Sequence, residues 1–362
     1  MKTGRILITS VGSLVGWALL YALHPLRGRL KIIGCNTIST SPTVFDCDRV
    51  YLVPKTSEAK AYREALQRIV ERERPDIVIP GRDEELALLS RLAANPKWGK
   101  ARLLAPPSEL ISVFNDKLET SRFAARHGLP FAHTAHEPDE IRALVETRGF
   151  PLVVKPRDGG HASRGVRIVS KPAQLRAALG RGNMVVQECL NPRTIHGLEA
   201  FSPEAGVPLH YAVNDLRHAA EWLINDNGEI MSLQGVVSNT EGPLSMHMWL
   251  TDDAALKEVA TGYARALAEA GHRGVANIQG KKLDDGRFVP FELNGRFTGS
   301  AAARACLGCN QVAQAVCHYL WQETYPNKPV YPDTTVLRST IYRAVDRAAM
   351  KNLESARFWS AG

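Results

Sequence analysis

The chain has 362 residues, 44% of them hydrophobic and 23% charged, with a formal net charge of +8. That length exceeds one small core and points to two or three packed domains, and that composition excludes a disordered or fibrous chain. Lysine and arginine are scattered instead of gathered in blocks, which argues against nucleic acid and for a phosphate-bearing or acidic small substrate. No apolar run reaches the roughly eighteen residues of a bilayer span, so no membrane partner is expected and the cytoplasm is the default location. Six cysteines (Cys35, Cys47, Cys189, Cys306, Cys309 and Cys317) read as free thiols, since no second pair or histidine cluster completes a zinc site around Cys306-Leu307-Gly308-Cys309.

Residues 5–9 predict a strand, and Gly12 to Gly16 a tight turn into a helix over Trp17–His24. Strands follow at Leu30–Gly34, Arg49–Val53 and Asp76–Pro80, with an amphipathic helix over Ala59–Arg72 before Pro75. Strands alternating with helices at this pitch predict a parallel, doubly wound, Rossmann-like sheet, an α/β fold. The turn after the first strand is spaced G-x-x-x-G, not G-x-G-x-x-G, which weakens a dinucleotide-binding reading.

The pattern changes around Pro106-Pro107-Ser108, and the first domain boundary is expected near residue 112. A helix over Asn115–His127 precedes a strand at Leu152–Lys155, a polar glycine loop over 158–165 and a strand at Val166–Val169. Ala173–Ala178 reads as helical and Met184–Glu188 as extended. From Leu190 to Arg217 prolines and glycines break any long element. Glu221–Ile224 and Glu229–Gln234 read as one hairpin across an Asn-Gly turn. After a helix over Asp253–Ala270, Asn277–Leu283 and Phe288–Leu293 read as another.

Two lysines stand where a structural explanation is awkward. Lys155 ends an apolar strand, where a half-buried ammonium needs an anionic partner, and the glycine loop next to it could close backbone N–H groups over phosphates. The alternative is a lysine snorkelling at a sheet edge. Lys117 opens a helix, whose N-terminal field also favours anions. On the second hairpin, Gln279 and Glu292 could face each other, and Asn294 shares the face of Glu292 by strand periodicity. Such an oxygen set suits a hard cation such as Mg²⁺. Arg296 continues the alternation, placed to stabilise charge on a phosphoryl group. From spacing alone, a polar ladder on a solvated sheet face accounts for these residues equally well.

The order Asn-Asp-Lys (115–117), Val-Val-Lys-Pro (153–156), glycine loop with Ser163-Arg164-Gly165, Val-Gln-Glu (186–188), Asn-Ile-Gln (277–279) and Glu-Leu-Asn-Gly-Arg-Phe (292–297) resembles ATP-grasp enzymes. It is most similar to their carbamoyl-phosphate-synthase-like carboxylate–amine ligase branch, and the resemblance covers nearly the whole chain. The segment 76–89, with Ile-Pro-Gly-Arg-Asp-Glu-Glu-Leu, is similar to that branch's N-terminal domain.

The resemblance implies a Rossmann-like domain over 1–112 and a two-subdomain, α+β ATP-grasp domain over 113–330. Within the latter a lid is expected over 113–188 and a metal-binding part over 189–330, and a C-terminal extension (331–362) is expected to pack on the ATP-grasp domain. It further implies that Lys117, Lys155, Gly160, Ser163 and Gly165 hold the ATP phosphates and that Glu188, Cys189 and Leu190 line the adenine site. Gln279, Glu292 and Asn294 would bind Mg²⁺ (or Mn²⁺), and Arg296 would contact the transferring phosphoryl group. For the ribose acid, Asn191–Gly197 offers nothing, and Glu199 is the nearest. Glycine at 295, where relatives often have proline, is expected to be harmless. The implied activity joins a small carboxylate to an amine with release of ADP and phosphate; a homodimer is compatible with it. The alternative is a regulatory nucleotide-binding protein of the same fold. His133–Glu137 departs from the H-E-x-x-H order of metalloproteases and reads as an accident of composition. Substrate specificity is expected in loops 190–217 and 235–250, near His218, Trp222, His247 and Trp249.

Overall fold

The structure is a computed structural model that describes residues 2–159, 164–191, 204, 206–209, 216–241, 244–330, 334–339 and 344–361. Five parallel strands open the chain: β1 (Gly4–Ile8), β2 (Leu30–Asn36), β3 (Arg49–Leu52), β4 (Ile77–Ile79) and β5 (Arg102–Leu103), in the order β3-β2-β1-β4-β5. Ile6, Leu7 and Ile8 of the central strand are fully buried because helices cover both faces. Helix α1 (Leu14–Leu23) lies on one side; α2 (Ala59–Glu73) and α3 (Leu86–Ala93) lie on the other. The first turn is tight and filled. A Cβ on Gly12 would come within 2.6 Å of Asn36 Nδ2 and Ser41 Oγ, and one on Gly16 within 2.3 Å of Val11 O. The glycines serve close packing there.

The helix expected over 115–127 is α5 (Lys117–Arg126), preceded by a separate short helix, α4 (Ile111–Asn115). Asp116 leaves the helical region between them (φ −108°, ψ 113°), and its carboxylate accepts from the N–H groups of Leu118 and Glu119. The capping bond outcompetes continuation of the helix. Beyond them an antiparallel sheet holds β6 (Thr134–Ala135), β7 (Leu152–Pro156), β8 (Arg167–Val169), β9 (Met184–Glu188) and β10 (Val207–Pro208), in the order β10-β8-β7-β9-β6. Helices α6 (Pro138–Arg148) and α7 (Pro172–Leu179) bury Leu144, Leu175 and Ala178 against Leu152, Val154 and Val186 on one face. This small subdomain thus runs past residue 188 to at least Pro208. Helix α5, expected within it, instead sends Phe123 and Ala124 into the core of the next subdomain.

That subdomain is a second antiparallel sheet of β11 (Arg217–Ile224), β12 (Ile230–Glu241), β13 (Leu244–Thr251), β14 (Gly274–Lys282), β15 (Phe288–Asn294) and β16 (Val336–Leu337), in the order β15-β14-β11-β12-β13-β16. Helix α8 (Ala254–Glu269) covers one face, where Leu256, Tyr263 and Leu267 meet Trp222 and Ile278. Trp222, a candidate specificity residue, is therefore core. Helices α9 (Ala301–Cys306) and α10 (Gln311–Val316) pack against α1 and join the first domain to this sheet in one hydrophobic core.

The C-terminal extension divides between two domains. β16 extends the large sheet through Met248↔Val336. Helix α11 (Arg347–Ala356) and β17 (Phe358–Ser360) return to the N-terminal domain, where β17 pairs antiparallel with β3. Leu353 is fully buried in that domain's core, and Trp359 packs edge-on to Phe45. An extension resting on the ATP-grasp part alone is thus corrected for residues 344–361: a bare parallel edge strand and a ring-lined surface attract them instead.

Candidate active site

The second hairpin has the register its periodicity predicts. Gln279 pairs directly with Glu292, and Asn277 with Asn294, so all four side chains share one face of the sheet. Asn277 is fully buried and works in two directions: its Nδ2 donates to Arg296 O at 2.9 Å, and its Oδ1 accepts from Asn294 Nδ2 at 3.3 Å. Asn294 therefore spends its amide N–H on Asn277 and keeps its oxygen available. Glu292, half-buried, has no hydrogen-bond partner among the described residues. It is surrounded by cations whose charged forms it favours: Lys155, Arg217 and Arg296. A carboxylate, a carboxamide oxygen and Gln279 Oε1 make an all-oxygen donor set that fits a hard divalent cation. Gln279 Oε1 also faces Arg217 Nη1 at 3.3 Å.

Lys155 reaches this face from the small subdomain. Only 5% exposed, its Nζ donates to Gln187 Oε1 at 2.7 Å and to Phe291 O at 3.0 Å. Burial and the nearby charge of Lys117 draw its pKa down to about 7, against the pull of Glu292. Such an ammonium is short of anionic partners and suits a phosphate. Lys117 lies at the start of α5, with Nζ donating to Gly159 O at 3.1 Å and its backbone N–H to Arg157 O at 3.0 Å. Both lysines thus border the glycine loop. Within that loop Gly165 has φ +80° and faces Pro156, while Gly160 and Ser163 lie outside the described residues.

Glu188, Cys189 and Leu190 follow the same strand toward the junction of the two subdomains. Glu188 stands on the opposite face of β9 from Gln187. Its carboxylate accepts from the His133 N–H at 2.8 Å and pairs with Arg148 at 3.3 Å, so it braces the small subdomain from within. Burial pushes the Cys189 thiol up to about 11, which leaves it an unreactive backbone carrier. Leu190 joins Ala132, Val289, Leu283 and Phe291 in a small apolar cluster between the subdomains, a surface suited to one face of a flat ring. Asn191 Nδ2 fastens the junction to Lys282 O at 2.8 Å. Glu199 and most of 190–217 are outside the described residues. His133 precedes β6 and His136 follows it, with His136 Nδ1 against Met184 O; the two histidines form no pair on a helix.

Arg296 closes the site from a third direction. Its Nη2 pairs with Asp83 of the N-terminal domain and its Nη1 donates to Phe297 O at 3.1 Å, while Nε has no partner among the described residues. Burial pushes the guanidinium down, but Asp83, with help from Glu292 and Glu221, more than offsets this and holds it up. Behind it the fully buried Glu221 accepts from Thr298 N–H and Oγ1 and faces Arg304 at 3.9 Å, which steadies the turn after β15. Gln187, Asn277, Asp83 and Arg217 were not singled out by sequence reasoning. Asn277, Gln187 and Asp83 do fall within the quoted segments Asn-Ile-Gln, Val-Gln-Glu and 76–89, whereas Arg217 carried no such signal.

The sequence of residues 6–98 matches the family of PylC-like N-terminal domains. The chain is 28% identical over 286 residues to the carbamoyl phosphate synthase large chain of Archaeoglobus fulgidus, covering 74% of this chain and 24% of that protein. Its fold aligns with the biotin carboxylase domain dimer of Hydrogenobacter thermophilus 2-oxoglutarate carboxylase, in complex with MgADP, ADP and bicarbonate. There the TM-score is 0.65 at 13% identity, over 91% of this chain and 72% of the other. It also aligns with an L-amino acid ligase from Bacillus licheniformis, at TM-score 0.63 and 18% identity over 89% and 75% of the two chains.

The fold is ATP-grasp. The chain spans about a quarter of the length of the curated relatives it matches. Gln279, Glu292 and Asn294 share one sheet face, with Lys155 and Arg296 close enough for Glu292 to act on their charge, and Lys117 near Lys155. No described helix is long and apolar enough to cross a membrane.

Proposed function

We propose that the chain is an ATP- and Mg²⁺-dependent ligase that activates a small carboxylate as an acyl phosphate and joins it to an amine. The observation that carries this reading is the direct pairing of Gln279 with Glu292, with Asn294 on the same face and Lys155 and Arg296 converging on it. The MgADP and bicarbonate bound by the 2-oxoglutarate carboxylase domain and the amino acids implied by the ligase neighbour support it by likeness of fold.

In this reading Lys117 and Lys155 hold the phosphates, and the apolar surface of Leu190, Val289 and Phe291 receives the adenine. Glu292, Asn294 and Gln279 would hold Mg²⁺, which when bound neutralises phosphate charge. A substrate carboxylate oxygen attacks the γ-phosphorus and the bond to ADP breaks; Arg296 balances the charge that gathers on the moving phosphoryl group. The amine nitrogen then attacks the acyl carbon, phosphate leaves with the bonding pair, and the nitrogen loses a proton. Proximity and charge suffice, and no covalent enzyme intermediate is needed.

The test is ADP release measured across amino acids and small acids, singly and in pairs. Release that requires a carboxylate is expected, and Asn294→Ala and Arg296→Ala should each lower it by about a hundredfold or more with melting temperature kept. MgATP binding with no release under any pairing would instead favour a regulatory nucleotide-binding protein. Near-normal turnover in both variants would refute the site.

A further inference from the structure

The face of the large sheet that carries Glu292 and Gln279 continues across β11 toward β12 and β13, and there it carries two arginines. Arg217 begins β11, flanked by β14 with Gln279 and by β12 with Ser238. Its Nη2 donates to Ser245 Oγ at 2.6 Å, and Ser245 Oγ lies 3.3 Å from Ser238 Oγ. Arg338, just beyond β16, donates Nη2 to Gly299 O at 3.2 Å and its backbone N–H to Met246 O at 2.8 Å. The second bond sets it beside the same stretch of β13. Burial lowers the pKa of both guanidiniums, and the charge of Arg338 lowers that of Arg217 further. Neither has a carboxylate within ion-pair distance among the described residues. Glu292 favours the charge of Arg217, yet it belongs to the cation site.

An arginine keeps its charge at any pH the protein meets, and its planar fork of donors matches an oxyanion. Arg217 with the hydroxyls of Ser245 and Ser238, and Arg338 held beside the same stretch of β13, form an anion seat with no carboxylate at ion-pair distance among the described residues. Its position bears on what the anion is. Strands lie about 4.8 Å apart, so β11 is two strands, roughly 10 Å, from β15, where the phosphoryl group is handled. Arg217 spans part of that distance: its Nη1 reaches back to 3.3 Å from Gln279 Oε1, while its Nη2 turns to Ser245 on the side away from β15.

We propose that Arg217, Ser245 and Arg338 bind a second anionic group on the substrate, a carboxylate or a phosphate monoester, separate from the carboxylate that is activated. This rests on the ligase reading and narrows it: one substrate carries an oxyanion that is held and not consumed. Neutral amines and simple monocarboxylates would then be poor substrates.

The test uses the whole chain loaded with the magnesium complex of a non-hydrolysable ATP analogue, which fills the phosphoryl position. Malonate and methyl phosphate are titrated into it by calorimetry. Binding of one of them identifies the anion class. Arg217→Met and Arg338→Met should each weaken that binding by about tenfold or more, and Arg217→Lys should recover part of it. Ser245→Ala, a smaller change, gives a second reading of the same seat if Arg217→Met does not fold. Nucleotide-loaded wild type that binds neither anion overturns the proposal, as does unchanged affinity in folded Arg217→Met and Arg338→Met. A chain that does not bind the nucleotide analogue sinks the ligase reading itself, and the anion seat with it.

Discussion

Lys155 shows how one side chain can be tuned for a ligand. Burial and the neighbouring Lys117 hold its pKa near 7, while Gln187 Oε1 and Phe291 O give it acceptors without charge. Nucleotide phosphates would supply that charge and raise the pKa, so binding near neutrality should draw a proton from solution. The sign follows from a free-protein value of about 7. By linkage, uptake on binding MgADP should be small at pH 6, about half a proton at pH 7, and close to one at pH 8. Calorimetry in buffers of different ionisation enthalpy reads this directly, and Lys155→Met should abolish the trend. Uptake that is flat with pH would mean Lys155 does not meet the phosphates. The lysine was legible in sequence because it ends an apolar run. Gln187 and Asn277 were not, because a polar residue in a strand gains meaning only when the register with its partner strand is known.

At the scale of elements, the β14–β15 hairpin was legible almost residue by residue, since period-two alternation and an Asp-Asp-Gly turn fix which side chains share a face. Helix ends were less so. The break at Asp116 depends on a capping bond competing with helix continuation. Glycine at 295 was expected to be harmless in a position that relatives often fill with proline. In the fold, a Cβ there would lie 2.2 Å from Pro106 Cγ and 3.1 Å from Phe114 Cδ1. The end of the hairpin can approach the segment before α4 only because residue 295 has no side chain. Gly295→Ala should therefore cost about 1–3 kcal/mol by overpacking, read as a lowered urea midpoint. It should also lower ADP release by moving Asn294 and Arg296 off their geometry. An unchanged midpoint would show that Pro106 yields without strain.

Across the whole molecule, the site is assembled from three parts that sequence order keeps far apart. The parallel sheet of the first domain was legible from alternating strands and helices, yet its bearing on the chemistry was not. Asp83 was visible only as part of a segment similar to relatives' N-terminal domains; nothing in its local pattern points to a partner 213 residues away. The pair is partly buried, with 15% of the Arg296 and 21% of the Asp83 side chain exposed. It also joins two domains that already share a core through α1, α9 and α10. Asp83 touches no reacting atom in this arrangement; it aims the guanidinium that does. Asp83→Asn keeps the shape and removes the charge, so the fold should survive while Arg296 loses its restraint. Under the ligase reading, turnover number should fall by about tenfold or more with the KM for ATP changed less than about threefold, because Arg296 acts on the transferring group and not on bound nucleotide. Asp83→Glu should recover part of the loss. A purely structural contact would instead lower the melting temperature of Asp83→Asn and leave the turnover number of the folded fraction unchanged.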